Sequence, residues 1–261
     1  MTERRTPSYI PPDPTLRINQ DLFEEEKVYS FDPELVLDPE LAKEFLEADQ
    51  LMEQLFQNCY FEQRGLRVGP KIYGRDAMKG HGKRVSIRSL SIYQELQKRR
   101  EALAVDVRAL TYGALFHDIG KFKPEIHCVV MFPGKIAPDC PLSWPIIKQH
   151  PRVGHDVTLD MPGLSEQERR RIAQVILYHH ERQDGQGYEY KHPSEIPFES
   201  QIITVADAMD VITGKRPYQE RRTSLEAIAE LERCPNQFNQ NIVAAVKRTL
   251  PSSGEIIQYW N

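Results

Sequence analysis

Five apolar residues, Leu41, Phe45, Ala48, Met52 and Leu55, follow one another at alternating spacings of four and three, which places them on one face of a helix. Asp38-Pro39-Glu40 just ahead reads as its start, with Asp38 as cap and Pro39 in the first turn. That face either packs on the rest of the chain or pairs with a second copy as a homodimer; packing at home is the default. The helical period returns further along. His81, Val85, Ser89, Ile92 and Leu96 share a face, and Val107, Leu110 and Ala114 form a stripe that runs into His117 and Asp118. Ile172, Val175 and Ile176 run likewise into His179 and His180, and Ile203 leads to Asp207 and Asp210. Pro151 suits the first turn of a helix that starts at His150. Two more helices, about 224–233 and 238–250, close the chain. Convincing strand-like alternation is absent, so the chain reads as an all-α bundle.

The segments between are of other kinds. Residues 1–38 are rich in proline and charge and read as an extended arm, and Gly65 to Gly82 reads as a turn-rich lead-in. Cys128 to Trp144 reads as an irregular, proline-containing loop. Arg169-Arg170-Arg171 reads as a solvated helix face.

Composition narrows the class. At 261 residues there is ample apolar material for a core, and 34 basic against 38 acidic residues argues against a protein that coats a nucleic acid polymer. A local basic pocket for a phosphorylated small molecule remains compatible with that balance. No apolar run is long enough for a membrane span, and the start leads into no signal-peptide core. Cys59, Cys128, Cys140 and Cys234 show no paired spacing and read as free thiols of a cytoplasmic protein.

The chemistry lies in where the ionisable groups fall. His81, His117, Asp118, His150, His179, His180 and Asp207 each lie on, or just past, the core-facing stripe of a helix. One buried histidine is usually an ordinary core residue. Five histidines and two carboxylates turned inward together would be costly in desolvation and repulsion without a shared cation. Neutral imidazole and carboxylate both bind first-row divalent ions well, so the set points to a metal site between core helices.

In order, these residues resemble the HD superfamily of metal-dependent phosphohydrolases, and look closest to its HD-GYP branch, whose members hydrolyse cyclic di-GMP. The resemblance covers about 80–238. It rests on His117-Asp118-Ile119-Gly120-Lys121, on His150-Pro151-Arg152-Val153-Gly154, and on His179-His180-Glu181-Arg182-Gln183-Asp184-Gly185-Gln186-Gly187-Tyr188. Val205-Ala206-Asp207-Ala208-Met209-Asp210 and Arg216-Pro217-Tyr218 also match.

The resemblance implies an HD-domain helical bundle over 63–261 as the catalytic domain, with 1–62 as arm and amphipathic helix. It implies two divalent metal ions, iron or manganese. His81, His117, Asp118 and Asp207 would hold one, and His150, His179 and His180 the other, with Asp118 bridging. Two cations about 3.5–4 Å apart ionise a bridging water and clamp phosphate oxygens. Lys121 would meet the scissile phosphate, and Tyr188 and Arg216 the rest of the substrate. Glu181, Asp184 and Asp210 would support the ligands and the loop. The expected substrate is cyclic di-GMP or a related cyclic dinucleotide. Another nucleotide or phosphate ester, and a binding module with little turnover, are the rival readings.

Three positions depart from the family pattern. Members with three metals carry a glutamate where this chain has Ala77, so two metals are expected. Gln219 stands where another base is frequent. Glu189 replaces the proline of Gly-Tyr-Pro, and a flexible, negatively charged residue there is expected to loosen the substrate loop or to disfavour an anionic ligand.

Overall fold

A computed structural model describes residue 33 and residues 36–66, 75–101, 104–126, 143–214 and 222–250. The N-terminal arm before Pro33, most of the irregular loop with Cys128 and Cys140, and the stretch holding Arg216 and Gln219 lie outside the described residues.

Helix α1 (Pro39–Gln57) begins as its sequence directs: the Asp38 side chain accepts from the N–H groups of Glu40 and Leu41. Its expected stripe, Leu41 to Leu55, is buried in the same core as the helices that follow. The face therefore packs at home, against α2 (Arg75–Lys98) and α3 (Val107–Phe116). Beyond its end, the Tyr60 hydroxyl donates to Val157 O at 2.8 Å.

Every residue of α3 from Ala109 to Phe116 is buried, which marks it as the central helix. Around it stand α1, α2, α6 (Glu166–Leu177) and α7 (Phe198–Thr213). The short α4 (Ser143–Ile147) leads into α5 (His150–Leu159), which packs on α6. Helices α8 (Ser224–Glu232) and α9 (Gln240–Thr249) close against α7 and α2. Capping boxes open α6 (Ser165 with Glu168) and α8 (Thr223 with Glu226), satisfying N–H groups that a first helical turn leaves over. Among the described residues there is no strand, as the periodicity predicts.

Two expectations fail. The turn-rich reading of Gly65 to Gly82 is wrong at its end, because Gly80, His81 and Gly82 lie inside α2. Gly82 serves contact rather than turning: a Cβ there would stand 2.6 Å from Leu115 O on α3. The basic triplet is also not a solvated face. Arg171 pairs with buried Glu199 at 2.7 Å and Arg169 donates to Leu164 O, leaving Arg170 outermost with Glu166.

Candidate metal centre

The helix stripes end where the ionisable groups begin. Helix α3 stops at Phe116, with His117 as its C-cap, and Asp118 opens a 3-10 turn, Ile119–Phe122. That turn lies against the start of α5 so closely that a Cβ on Gly120 would sit 2.0 Å from His150 O. Helix α6 ends at Leu177, delivering His179 and His180 just beyond. Helix α2 contributes His81, and α7 contributes Asp207 and Asp210.

All seven expected ligands converge. Asp118, His150, His179 and His180 form one group and His81, His117 and Asp207 another, with ligand atoms in each group within 4.8 Å of one another. Asp118 faces both. Its Oδ2 lies 3.7 Å from His81 Nε2 and 3.5 Å from His117 Nε2, while its Oδ1 lies 3.3 Å from His150 Nε2 and 3.9 Å from His179 Nε2.

The imidazoles are oriented by their outer nitrogens. Nδ1 of His117, His150 and His179 lies 2.8, 2.7 and 2.6 Å from the carbonyls of Ala114, Ile147 and Ile176. A carbonyl only accepts, so each Nδ1 carries the proton and Nε2 faces inward. His81 is held by a carboxylate instead, its Nδ1 donating to Asp210 Oδ2 at 2.8 Å. Arg84 grips that carboxylate in turn, at 2.9 Å to Oδ1 and 3.0 Å to Oδ2.

Electrostatics divides the site. Burial pushes His150 below its ordinary value, His179 well below, and His180 down to about 3. These rings are neutral, so His150 and His179 present bare Nε2 lone pairs to each other at 3.2 Å. Asp118 Oδ1 beside them is buried without a hydrogen-bond partner. Such an arrangement is repulsive as it stands and fits a shared cation. In the other group burial works against charge on His81, but Asp207 and Asp210 override it and hold the ring up at about 10. Burial likewise opposes ionisation of Asp118, yet Lys121 and His117 hold its carboxyl well below the usual carboxylate range.

The remaining expected residues spread out from this centre. Lys121 Nζ lies 2.5 Å from Asp118 Oδ2, and its side chain keeps 30% exposure towards solvent. The Tyr188 ring lies 4.6 Å from that of His180. Among the three supporting acids, Asp210 is the one bonded to an expected ligand. Glu181 is buried and accepts the N–H groups of Glu189 (2.6 Å) and Lys191 (2.7 Å). Asp184 accepts from Arg182 and from Gln186 N, so it shapes the loop alone. The loosened-loop expectation fails here: Glu189 is pinned through its N–H, and its carboxylate pairs with Arg152. Sequence reasoning missed Arg84, although it shares a face with His81 three residues earlier, and missed Arg152.

Comparisons with known proteins bear on the family. A family model described as "HD domain" matches residues 76–241. The chain is 37% identical over 131 residues to "Cyclic di-GMP phosphodiesterase response regulator RpfG" of Xanthomonas campestris pv. campestris, covering 48% of this chain and 32% of that protein. It is 33% identical over 131 residues to a "Cyclic di-GMP phosphodiesterase" of Thermotoga maritima, covering 49% and 33%. It is 28% identical over 174 residues to "3'3'-cGAMP-specific phosphodiesterase 3" of Vibrio cholerae, covering 66% and 35%. The matched part thus spans about a third of each relative's length. Among solved structures, Bd1817, an HDG"Y"P protein from Bdellovibrio bacteriovorus, shares the fold with a TM-score of 0.54 at 15% identity, covering 88% of this chain and 75% of that one. The chain belongs to the HD domain family.

Proposed function

We propose that this chain is a metal-dependent phosphodiesterase that opens cyclic di-GMP, or a related cyclic dinucleotide, to its linear product. The observation that carries the reading is Asp118, whose two carboxylate oxygens each face a different group of imidazoles. Such a carboxylate suits a pair of cations side by side. Two divalent ions held there, iron or manganese by the family resemblance, supply Lewis acidity towards the phosphate and lower the pKa of water.

The chain's own groups supply the rest. His81, His117 and Asp207 hold one side of the centre, and His150, His179 and His180 the other. Lys121, next to Asp118 and open to solvent, donates to the non-bridging oxygens as charge gathers on them. Asp210 keeps the His81 ring turned inward, and Glu181 keeps the loop of Tyr188 closed over His180. Arg216 contributes a further phosphate or base contact. Water gives up a proton and its oxygen bonds to phosphorus, one phosphorus–ester bond breaks, and the displaced ribose oxygen takes up a proton as the ring opens.

The names of the relatives support a cyclic dinucleotide. A net charge of −4 favours a small phosphodiester over a nucleic acid polymer. An exposed free thiol at Cys59 fits the cytoplasm, where thiols stay reduced. No helix among the described residues is long and apolar enough to cross a membrane. The test is anaerobic reconstitution with iron or manganese, incubation with a panel of cyclic dinucleotides and simple phosphoesters, and chromatography of the products. A linear dinucleotide is expected. Turnover of simple phosphoesters alone would overturn the substrate.

A further inference from the structure

One aromatic side chain near the centre takes no part in the core. Trp144, at the start of α4, is 53% exposed. Its ring centre lies 6.1 Å from that of Tyr188, edge to face at 81°. Tyr188 in turn lies 4.6 Å from His180 at 35°. Imidazole, phenol and indole thus follow one another outward from the metal centre to solvent. Lys148, one helical turn beyond Trp144, places its ammonium 5.8 Å from the indole and 5.3 Å from the phenol.

We propose that Trp144 and Lys148 form a nucleobase platform, on which a purine of the cyclic dinucleotide stacks while its phosphate lies at the metal centre. An indole half in water retains a free apolar face, and every base offers a π-face to match it. The ammonium beside it suits the electron-rich edge of a purine and the phosphate next to it. The placement also fits: the platform begins one ring beyond Tyr188, so a ligand there is near the centre without displacing its histidines. The proposal rests on the phosphodiesterase reading for its substrate, and the residues that carry it belong to none of the metal-binding motifs.

Two measurements test it. The first compares metal-reconstituted wild type, Trp144→Ala and Trp144→Phe on cyclic di-GMP and on the abasic cyclic di(ribose phosphate), the same phosphodiester ring with neither base nor any other aromatic group. For cyclic di-GMP the alanine variant should raise KM by about tenfold or more, with phenylalanine restoring most of the loss. Turnover of the base-free ester should stay unchanged. Equal losses on both substrates, or no loss on either, would overturn the platform.

The second measurement needs no turnover. The chain has two tryptophans, so in Trp260→Phe the indole fluorescence reports Trp144. Adding cyclic di-GMP should quench it, and dimethyl phosphate should not. Absence of quenching by the dinucleotide overturns the platform. Quenching in a protein that cleaves no phosphodiester would leave the platform standing and overturn the enzymatic reading instead.

Discussion

His150 and His179 point their Nε2 atoms at each other across 3.2 Å, and both already use their Nδ1–H groups to donate to backbone carbonyls. Neither can donate to the other while both are neutral, so the pair is complementary to a cation. Asp118 completes that side with Oδ1 and reaches the opposite side with Oδ2. Asp118→Asn keeps the shape and removes the charge that both sides share. Bound metal, read by elemental analysis after reconstitution, should fall from about two ions per chain to one or none. His155→Ala, which alters an outward histidine paired with Asp156, should leave the content unchanged. Full occupancy in Asp118→Asn would remove the basis for a bridging role.

The two sides should differ in how they exchange protons. A raised His81, held up at about 10 by Asp207 and Asp210, is protonated in metal-free protein at pH 8. A cation at its Nε2 must displace that proton. The depressed values of His150, His179 and His180 leave no proton to displace on the other side. Metal uptake at pH 8 should therefore release about one proton per chain, and affinity should rise with pH up to about 10. Calorimetric titration in buffers of different ionisation enthalpy measures this. Asp210→Asn, which takes away one of the carboxylates that raise His81, should reduce the release. It should also weaken metal binding by about 10–100-fold, since the ring loses its orienting partner.

Much of this site was legible because a helical period carries its own direction. The apolar stripes of α3 and α6 are buried, so the residues that end them, His117-Asp118 and His179-His180, emerge inside the molecule. Asp207 and Asp210 follow from Ile203 by the same rule. What could not be read depends on partners far away in sequence. Gly82 looks like a turn residue until Leu115 O is seen against it, since close packing and turning ask for the same missing Cβ. Arg84 and Asp210 are 126 positions apart, and Arg152 and Glu189 are 37 apart. No local pattern announces either pair.

The family's proline at position 189 is expected to harm this chain. Glu189 N–H donates to buried Glu181 Oε1, and proline has no N–H to give. Its carboxylate also neutralises Arg152 on α5. Glu189→Pro should destabilise the protein by about 1–3 kcal/mol, the penalty of a buried acceptor left unpaired, and lower turnover. Glu189→Ala keeps the N–H and loses only a partly exposed ion pair, so its stability should change by less than about 1 kcal/mol. Denaturant titration separates the two. A proline variant as stable as wild type would show that the loop is held by other means.

Gly120 sets how the two sides of the centre meet. It lies in the 3-10 turn that carries Asp118 and Lys121, and a Cβ there would stand 2.0 Å from His150 O and 2.9 Å from Gly154 N. Both obstacles are backbone atoms of α5, so no side chain can swing aside to make room. Gly120→Ala must instead push the turn away from α5, and it does so at the point where Asp118 Oδ1 approaches His150. The expected cost is about 1–3 kcal/mol of stability from overpacking. Because the displacement separates ligands contributed by the two segments, metal should be lost first from the side of His150, His179 and His180. His81 and Asp207 lie on α2 and α7, and His117 is held at the end of α3 by its bond to Ala114 O, so that side should still retain an ion. Elemental analysis near one ion per chain, in a protein that still folds by circular dichroism, is the outcome this geometry requires. Two ions at full occupancy would mean that the turn and α5 can part without disturbing the centre.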